Sequence, residues 1–176
     1  MYSRIAVNSI LILSLVIFQL AVINGMPAGI NNLNLILVVL IFILSLMNLD
    51  LAMWWSIGAG FFLDIFLLAP FGFYLISLSL TVVIANFLLI HFFTNRSLYT
   101  FFSLVFLSSI IYEVFLNFFW FLIRLISGKE IIVVINSGFW ASKLTQLIFN
   151  LIATLIIFNL INFISKKLKP VFLVKN

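Results

Sequence analysis

The chain has 176 residues, 66% of them hydrophobic and 7% charged, with a formal net charge of +5 and no cysteine. Soluble domains run nearer 45–50% apolar and about 25% charged, and a globule of this size needs a polar surface that this composition does not supply. The bilayer is the solvent that fits, and disulfides and thiolate metal sites are excluded.

The first apolar stretch, Ile5 to Ile23, follows Arg4. A signal-peptide core is about 7–15 residues long and ends in a small-residue cleavage site. This stretch is longer and no A-x-A pattern follows, so an uncleaved first span is expected. A loop from Asn24 to Asn32 comes next, punctuated by Gly25, Pro27 and Gly29.

Residues 33 to 69 are almost entirely apolar, broken near the middle by Asn48 to Asp50. As one helix this run would be roughly 55 Å long. The hydrocarbon core is about 30 Å thick, so the run must fold back as a hairpin. The expected spans are 33–47 and 51–69, and a third, 71–93, follows the break at Ala69-Pro70-Phe71-Gly72. Thr94-Asn95-Arg96-Ser97 is a polar connector, with Ser97 able to cap the next helix. Span five is 98–126, longer than a bilayer needs, and must tilt or protrude. Ser127 to Glu130 ends it. Ile131 to Ile135 is β-branched and too short to cross; it is either a re-entrant piece or, the favoured reading, a loop on the membrane surface. Span six is 138–164, opened by Asn136 or Ser137.

The expected fold is therefore an all-α membrane protein, one domain over residues 1–176, built as a six-transmembrane-helix bundle. Basic residues near span ends set orientation. With the N-terminus inside, Arg4, Arg96 and the tail lysines Lys166, Lys167, Lys169 and Lys175 face the cytoplasm, against Arg124, Lys129 and Lys143 outside. That bias favours both termini in the cytoplasm. Trp54, Trp55, Trp120 and Trp140 fall near span ends, as an aromatic belt does. The positive charge thus reads as topology and headgroup contact rather than nucleic-acid binding. No internal repeat is apparent, which weighs against inverted-repeat transporters.

Polar residues inside the spans fall into stripes. Ser56, Gly60 and Asp64 share one face of span three, and Gly58 adds a second small residue. Small residues let another helix come close. Asp64 has two readings: an ion or substrate ligand, or a carboxyl accepting hydrogen bonds at the hairpin tip. Its position six residues before Pro70 favours the second. Ser109, Glu113 and Asn117 line span five; Ser142, Gln146, Asn150 and Thr154 line span six; Asn8 and Gln19 share a face of span one. Such stripes turn inward or toward a partner, because hydrocarbon offers no hydrogen bonds. Glu113, Asn117, Gln146 and Asn150 are the candidate partner or packing face. His91, the single histidine, makes no metal site by itself. No zinc, phosphate-loop, dinucleotide or nucleophile-elbow motif is present, so neither enzymatic activity nor a cofactor is expected.

The stretch Gly58-Ala59-Gly60-Phe61-Phe62-Leu63-Asp64-Ile65-Phe66-Leu67-Leu68-Ala69-Pro70-Phe71-Gly72 resembles the hallmark of the bacterial rod-shape-determining protein MreD family. Its elements are a glycine pair, an Asp near the hairpin tip and Pro-x-Gly opening the next span, so Gly58, Gly60, Asp64, Pro70 and Gly72 carry the motif. Length, span number and basic tail are similar too. Where that family often begins span two with Pro-Asp, this chain has Leu33 and Asn34. The resemblance implies a non-enzymatic scaffold of the cell-wall elongation machinery in the bacterial inner membrane. It would bind a single-span MreC-like protein and, through it, connect to MreB, RodA and a penicillin-binding transpeptidase. The family's fold is related to substrate-binding subunits of energy-coupling-factor vitamin transporters, which gives the alternative. Those subunits commonly dock through an A-x-x-x-A face on span one, whereas here Ala6 is followed four residues later by Ile10. A vitamin pocket could draw on Asp64, Glu113, Asn117, Trp120 and Trp140.

Overall fold

The structure, a computed structural model, describes residues 2–27, 29–93, 97–127 and 137–172. Arg96, Lys129, Asn136, Lys175 and the segment 131–135 lie outside the described residues. Within them, all regular structure is helical. Helix α1 (Tyr2–Phe18) continues as a π-helical turn, Gln19–Ile23, and a short 3-10 turn, Ile30–Asn32, leads into α2 (Leu35–Leu46). Then come α3 (Leu49–Phe66), α4 (Phe73–Phe92), α5 (Leu98–Ile126) and α6 (Ser137–Phe172).

Among the described residues, five helical stretches are long and apolar enough to cross a membrane: Ile5–Ile23, Leu49–Phe66, Phe73–Phe92, Leu98–Ile126 and Gly138–Ile164. They present rows of large apolar side chains outward, such as Ile76, Leu80, Val83, Phe87 and Ile90 on α4. Spacings of four and three residues keep such a row on one helix face. In water these rows would be a severe liability; in a bilayer they are the lipid surface. The chain is an all-α, multi-pass membrane protein.

Helix α2 differs from the other five. It has 12 residues, roughly 18 Å at 1.5 Å per residue, short of the roughly 30 Å hydrocarbon thickness. Eight of its residues are buried, from Ile36 to Ser45. It packs against α3, α4, α5 and α6. A helix apolar on all sides belongs in the interior, and α2 is the axis of the bundle. Phe42 stacks on Phe101 of α5 at 4.6 Å, and Phe101 meets Phe158 of α6 at 5.5 Å, tying three helices together.

Capping moves the helix ends from the expected limits. Asn48 is extended and its side chain accepts from Leu51 N, so α3 begins at Leu49, with Asp50 in its first turn. There the acid faces the positive end of the helix dipole. At the other end Ala69 N donates to Asp64 O and Leu68 N to Ile65 O, with Leu68 at φ 49°. This closing pattern ends α3 at Phe66, short of residue 69, and glycine is its usual occupant at the left-handed position. Leu68 is 92% exposed and holds that conformation without packing in return. Leu68→Gly should therefore raise stability by about 1 kcal/mol. A thermal melt in detergent checks this, and an unchanged or lower midpoint would count against the backbone argument. Helix α6 passes Ile164 and continues to Phe172.

Candidate functional site

The stripe on α3 faces α4 along its whole length. Ser56 Oγ lies 3.4 Å from Ser79 Oγ. Four residues on, a Cβ added to Gly60 would stand 2.3 Å from Leu75 Cα and 2.7 Å from Leu75 N. The two backbones meet there, and only glycine leaves room. Four residues further, Asp64 is 3% exposed. Its Oδ2 accepts from Gly72 N at 2.8 Å and its Oδ1 from Tyr74 N at 2.7 Å.

These bonds make Asp64 the cap of α4. The first N–H groups of a helix have no partner within it. Gly72, the residue at the start of α4, is left-handed with φ 92° and has no side chain to cap with. The carboxylate from the preceding helix satisfies the amides instead, and its charge meets the positive end of the α4 dipole. Pro70 stops helical continuation, and its carbonyl accepts from Phe73 N at 3.0 Å. Gly60, Asp64, Pro70 and Gly72 thus form one joint. Gly58 lies on another face of α3, where an added Cβ would meet the Ile12 side chain of α1 at 3.1 Å.

A second polar cluster surrounds the start of α2. Asn34 Oδ1 accepts from Leu37 N. Gln19, placed by the π-helical turn, accepts from Leu35 N at 2.9 Å and donates to Leu33 O at 2.7 Å. Asn150 Oδ1 accepts from Asn34 N at 2.9 Å, while its Nδ2 donates to Ser109 Oγ at 2.9 Å. Thr154 donates to Asn150 O. A helix that begins inside the bundle exposes N–H groups that water would otherwise satisfy, and these amides replace the water. Asn150→Leu would strand the Asn34 N–H and one Ser109 partner. The expected loss is about 1–3 kcal/mol, read as a lower melting midpoint; a shift below a few tenths would contradict this role.

The third cluster lies between α5 and α6. Lys143 Nζ is 2.5 Å from Glu113 Oε2, with side-chain exposures of 33% and 19%. The pair lines a groove of about 570 Å³ together with Ser109, Asn117, Trp140 and Gln146. Asn117 Nδ2 donates back to Glu113 O at 2.7 Å.

Glu113, Asn117 and Gln146 therefore share a surface, but Asn150, grouped with them in sequence, is fully buried at the head of α2. Asp64 and Trp120 do not join the groove. Trp120 packs on Phe73 at 5.6 Å and beneath the Arg124 guanidinium at 5.6 Å. Lys143, counted as an orienting charge, is a half-buried partner of Glu113 and so weighs less as a topology signal. Asn34 was not expected to be functional; its place after a loop and before an apolar run is the N-cap signature that could have found it. His91 is exposed, its Nδ1 2.9 Å from Phe87 O. Among the described residues, no group of three or more metal-ligating side chains occurs. The chain matches no protein-family model, no curated protein and no solved structure.

Proposed function

We propose that this chain is a non-enzymatic membrane scaffold of the bacterial cell-wall elongation machinery, acting in the inner membrane by holding an MreC-like protein. One observation carries the reading: Gly60, Asp64, Pro70 and Gly72, which carry the resemblance to the MreD family, are consumed in joining α3 to α4. Both Asp64 oxygens accept backbone N–H groups, so this buried acid is occupied in a structural role. Depletion of the protein should round the cells that make it and reduce incorporation of labelled D-amino acids into the side wall. Unchanged shape and labelling would contradict the proposal.

The same reading takes the bundle as six crossings with both termini cytoplasmic. Helix α2 makes the short central crossing, extended by the Ile30–Asn32 turn and the residues between. Reporter fusions at Asn176 and in the loop at Gly29 should report opposite sides, with Asn176 inside. A periplasmic Asn176 would refute this topology.

The second reading is a vitamin-binding subunit of an energy-coupling-factor transporter. The observation favouring it is the α5–α6 groove, which combines an ion pair, an amide and Trp140 in about 570 Å³, within the size range of small-molecule sites. A vitamin-dependent thermal shift of the purified protein separates it from the scaffold.

A further inference from the structure

The turn between α3 and α4 is apolar where every other connection is polar. From Ile65 to Phe73 no side chain carries a polar group, whereas the other connections hold Asn31 and Asn32, Asn48, Arg96, or Lys129 and Glu130. The side chains of the turn also point out of the protein. Leu68 is 92% exposed and Phe71 76%. Leu68 keeps a left-handed backbone at φ 49°, which is unfavourable for leucine, and at that exposure no contact inside the chain offsets it. Such an outlier points to a use outside the chain.

The level of the turn in the membrane follows from the helices. Helix α3 has 18 residues, roughly 27 Å at 1.5 Å per residue, against a hydrocarbon thickness of about 30 Å. With Asn48 at one boundary, the turn falls at the other. Phe73 packs on Trp120 of α5. From there α5 runs on to Ile126, roughly 9 Å, and still exposes Phe121, Leu125 and Ile126. Apolar surface therefore extends past the base of the turn. The backbone is suited to the same level. The N–H groups of Leu67, Leu68, Ala69, Gly72, Phe73 and Tyr74 all donate within the hairpin, and Pro70 has none. Carbonyls at a helix end lack partners. Water among the headgroups can meet those of α3, which sets the turn at the edge of the hydrocarbon rather than in its middle.

What adjoins the turn identifies its occupant. Phe71 meets Phe61 edge-on at 5.9 Å. Phe61 and Ile65 are exposed on α3, as Ile76 is on α4, so the turn continues the surface that faces lipid. A patch that docks a protein from the water has a polar rim, and this turn has none. Two copies meeting tip to tip would bury far less than a stable interface does. We infer that the α3–α4 turn is a lipid anchor. Leu68 and Phe71 insert among the acyl chains at the hydrocarbon edge and fix the depth of the hairpin, keeping the joint held by Asp64 beneath the headgroups. The inference goes beyond the scaffold reading and is independent of the side on which the termini lie.

The chain has no cysteine, so single cysteines report one position each. Leu68→Cys and Phe71→Cys would be purified, reconstituted into phosphatidylcholine vesicles and labelled with nitrobenzoxadiazole. Ser127→Cys, at the end of α5 on the same side of the bundle, is the water control. Val83→Cys, on the outward row of α4, is the lipid control. Positions 68 and 71 should give blue-shifted emission and quenching by doxyl-labelled lipid close to that at 83. Their reaction with a charged maleimide should be far slower than at 127. Leu68→Asn, added to Phe71→Cys, suits the same backbone and should speed that reaction at 71 roughly tenfold, the effect of withdrawing one leucine from hydrocarbon. Each variant must melt within a few degrees of the wild type in detergent, where Leu68 meets detergent both folded and unfolded. If a cysteine variant misfolds, the wild type photolabelled by a phospholipid with a diazirine on its acyl chain decides the matter, with adducts expected on the peptide holding Leu68 and Phe71. The vesicles contain no partner protein, so a turn built to dock one would report water. Water-like emission with fast reaction at both positions would overturn the inference. So would slow reaction without doxyl quenching, the mark of a second copy covering the turn, or an unmoved rate in a folded Leu68→Asn. Neither outcome bears on the shape of depleted cells, so the anchor and the scaffold can fail separately.

Discussion

Gly60→Leu is expected to remove the folded protein from the membrane. The α3 and α4 backbones approach so closely at this point that a single methyl group would sit 2.3 Å from Leu75 Cα. Backbone cannot rotate aside as a side chain can, so relief requires the two helices to part. Separation would pull Asp64 away from Gly72 N and Tyr74 N and break the Ser56–Ser79 contact. Overpacking of an ordinary core costs about 1–3 kcal/mol; here the obstacle is main chain, and the loss should reach or exceed the upper value. Gly60→Ala should already show much of the effect. Gly58→Ala is the control, because its Cβ would meet the far end of the flexible Ile12 side chain and should cost under about 1 kcal/mol. Protein level in the membrane and the melting midpoint are the readouts. Equal behaviour of Gly58→Ala and Gly60→Leu would contradict the close approach.

Substitutions at Asp64 should fall in a fixed order, wild type above Asn above Leu. The carboxylate offers two acceptor oxygens and uses both on the start of α4. Asn keeps one carbonyl oxygen and turns an NH₂ toward the other N–H. It also lacks the charge that strengthens such bonds. Leu offers no acceptor and leaves two buried N–H groups unpaired, at about 1–3 kcal/mol each. A melting series that places Asp64→Asn at or below Asp64→Leu would contradict the capping role.

The helical class was legible because apolar runs of bilayer length admit few alternatives; six crossings were expected, and among the described residues five helices are long and apolar enough to cross while α2 is not. The contact face of α3 was legible too, since Ser56, Gly60 and Asp64 recur every fourth residue and all three meet α4. The interior place of α2 was not. Its sequence is apolar on every side, as that of a span facing lipid can be, and composition does not distinguish a helix facing lipid from one enclosed by helices. The clue lay in its flanks, where Asn34 cannot satisfy every N–H at the helix start and Gln19 and Asn150 complete the set from distant parts of the chain. Sequence spacing alone also grouped Asn150 with Gln146. One residue lines the groove and the other is buried, because a four-residue step keeps nearly the same face but moves about 6 Å along the axis, and over that rise α6 passes from the groove to the head of α2. Lys143 was misleading in a different way. A basic residue six positions into a helix reads as an interfacial charge until the adjacent helix is seen to set Glu113 beside it.

Capture of an MreC-like protein from native membranes tests the scaffold proposal most directly. The wild type, Asp64→Asn and Asp64→Leu would be compared, alongside a thermal-shift screen of the wild type with water-soluble vitamins. The account predicts co-purification with the wild type, a graded fall through Asn to Leu as the α3–α4 joint weakens, and no vitamin response. Capture that survives both substitutions undiminished, together with a strong vitamin-induced shift, would contradict it and establish the transporter subunit in its place.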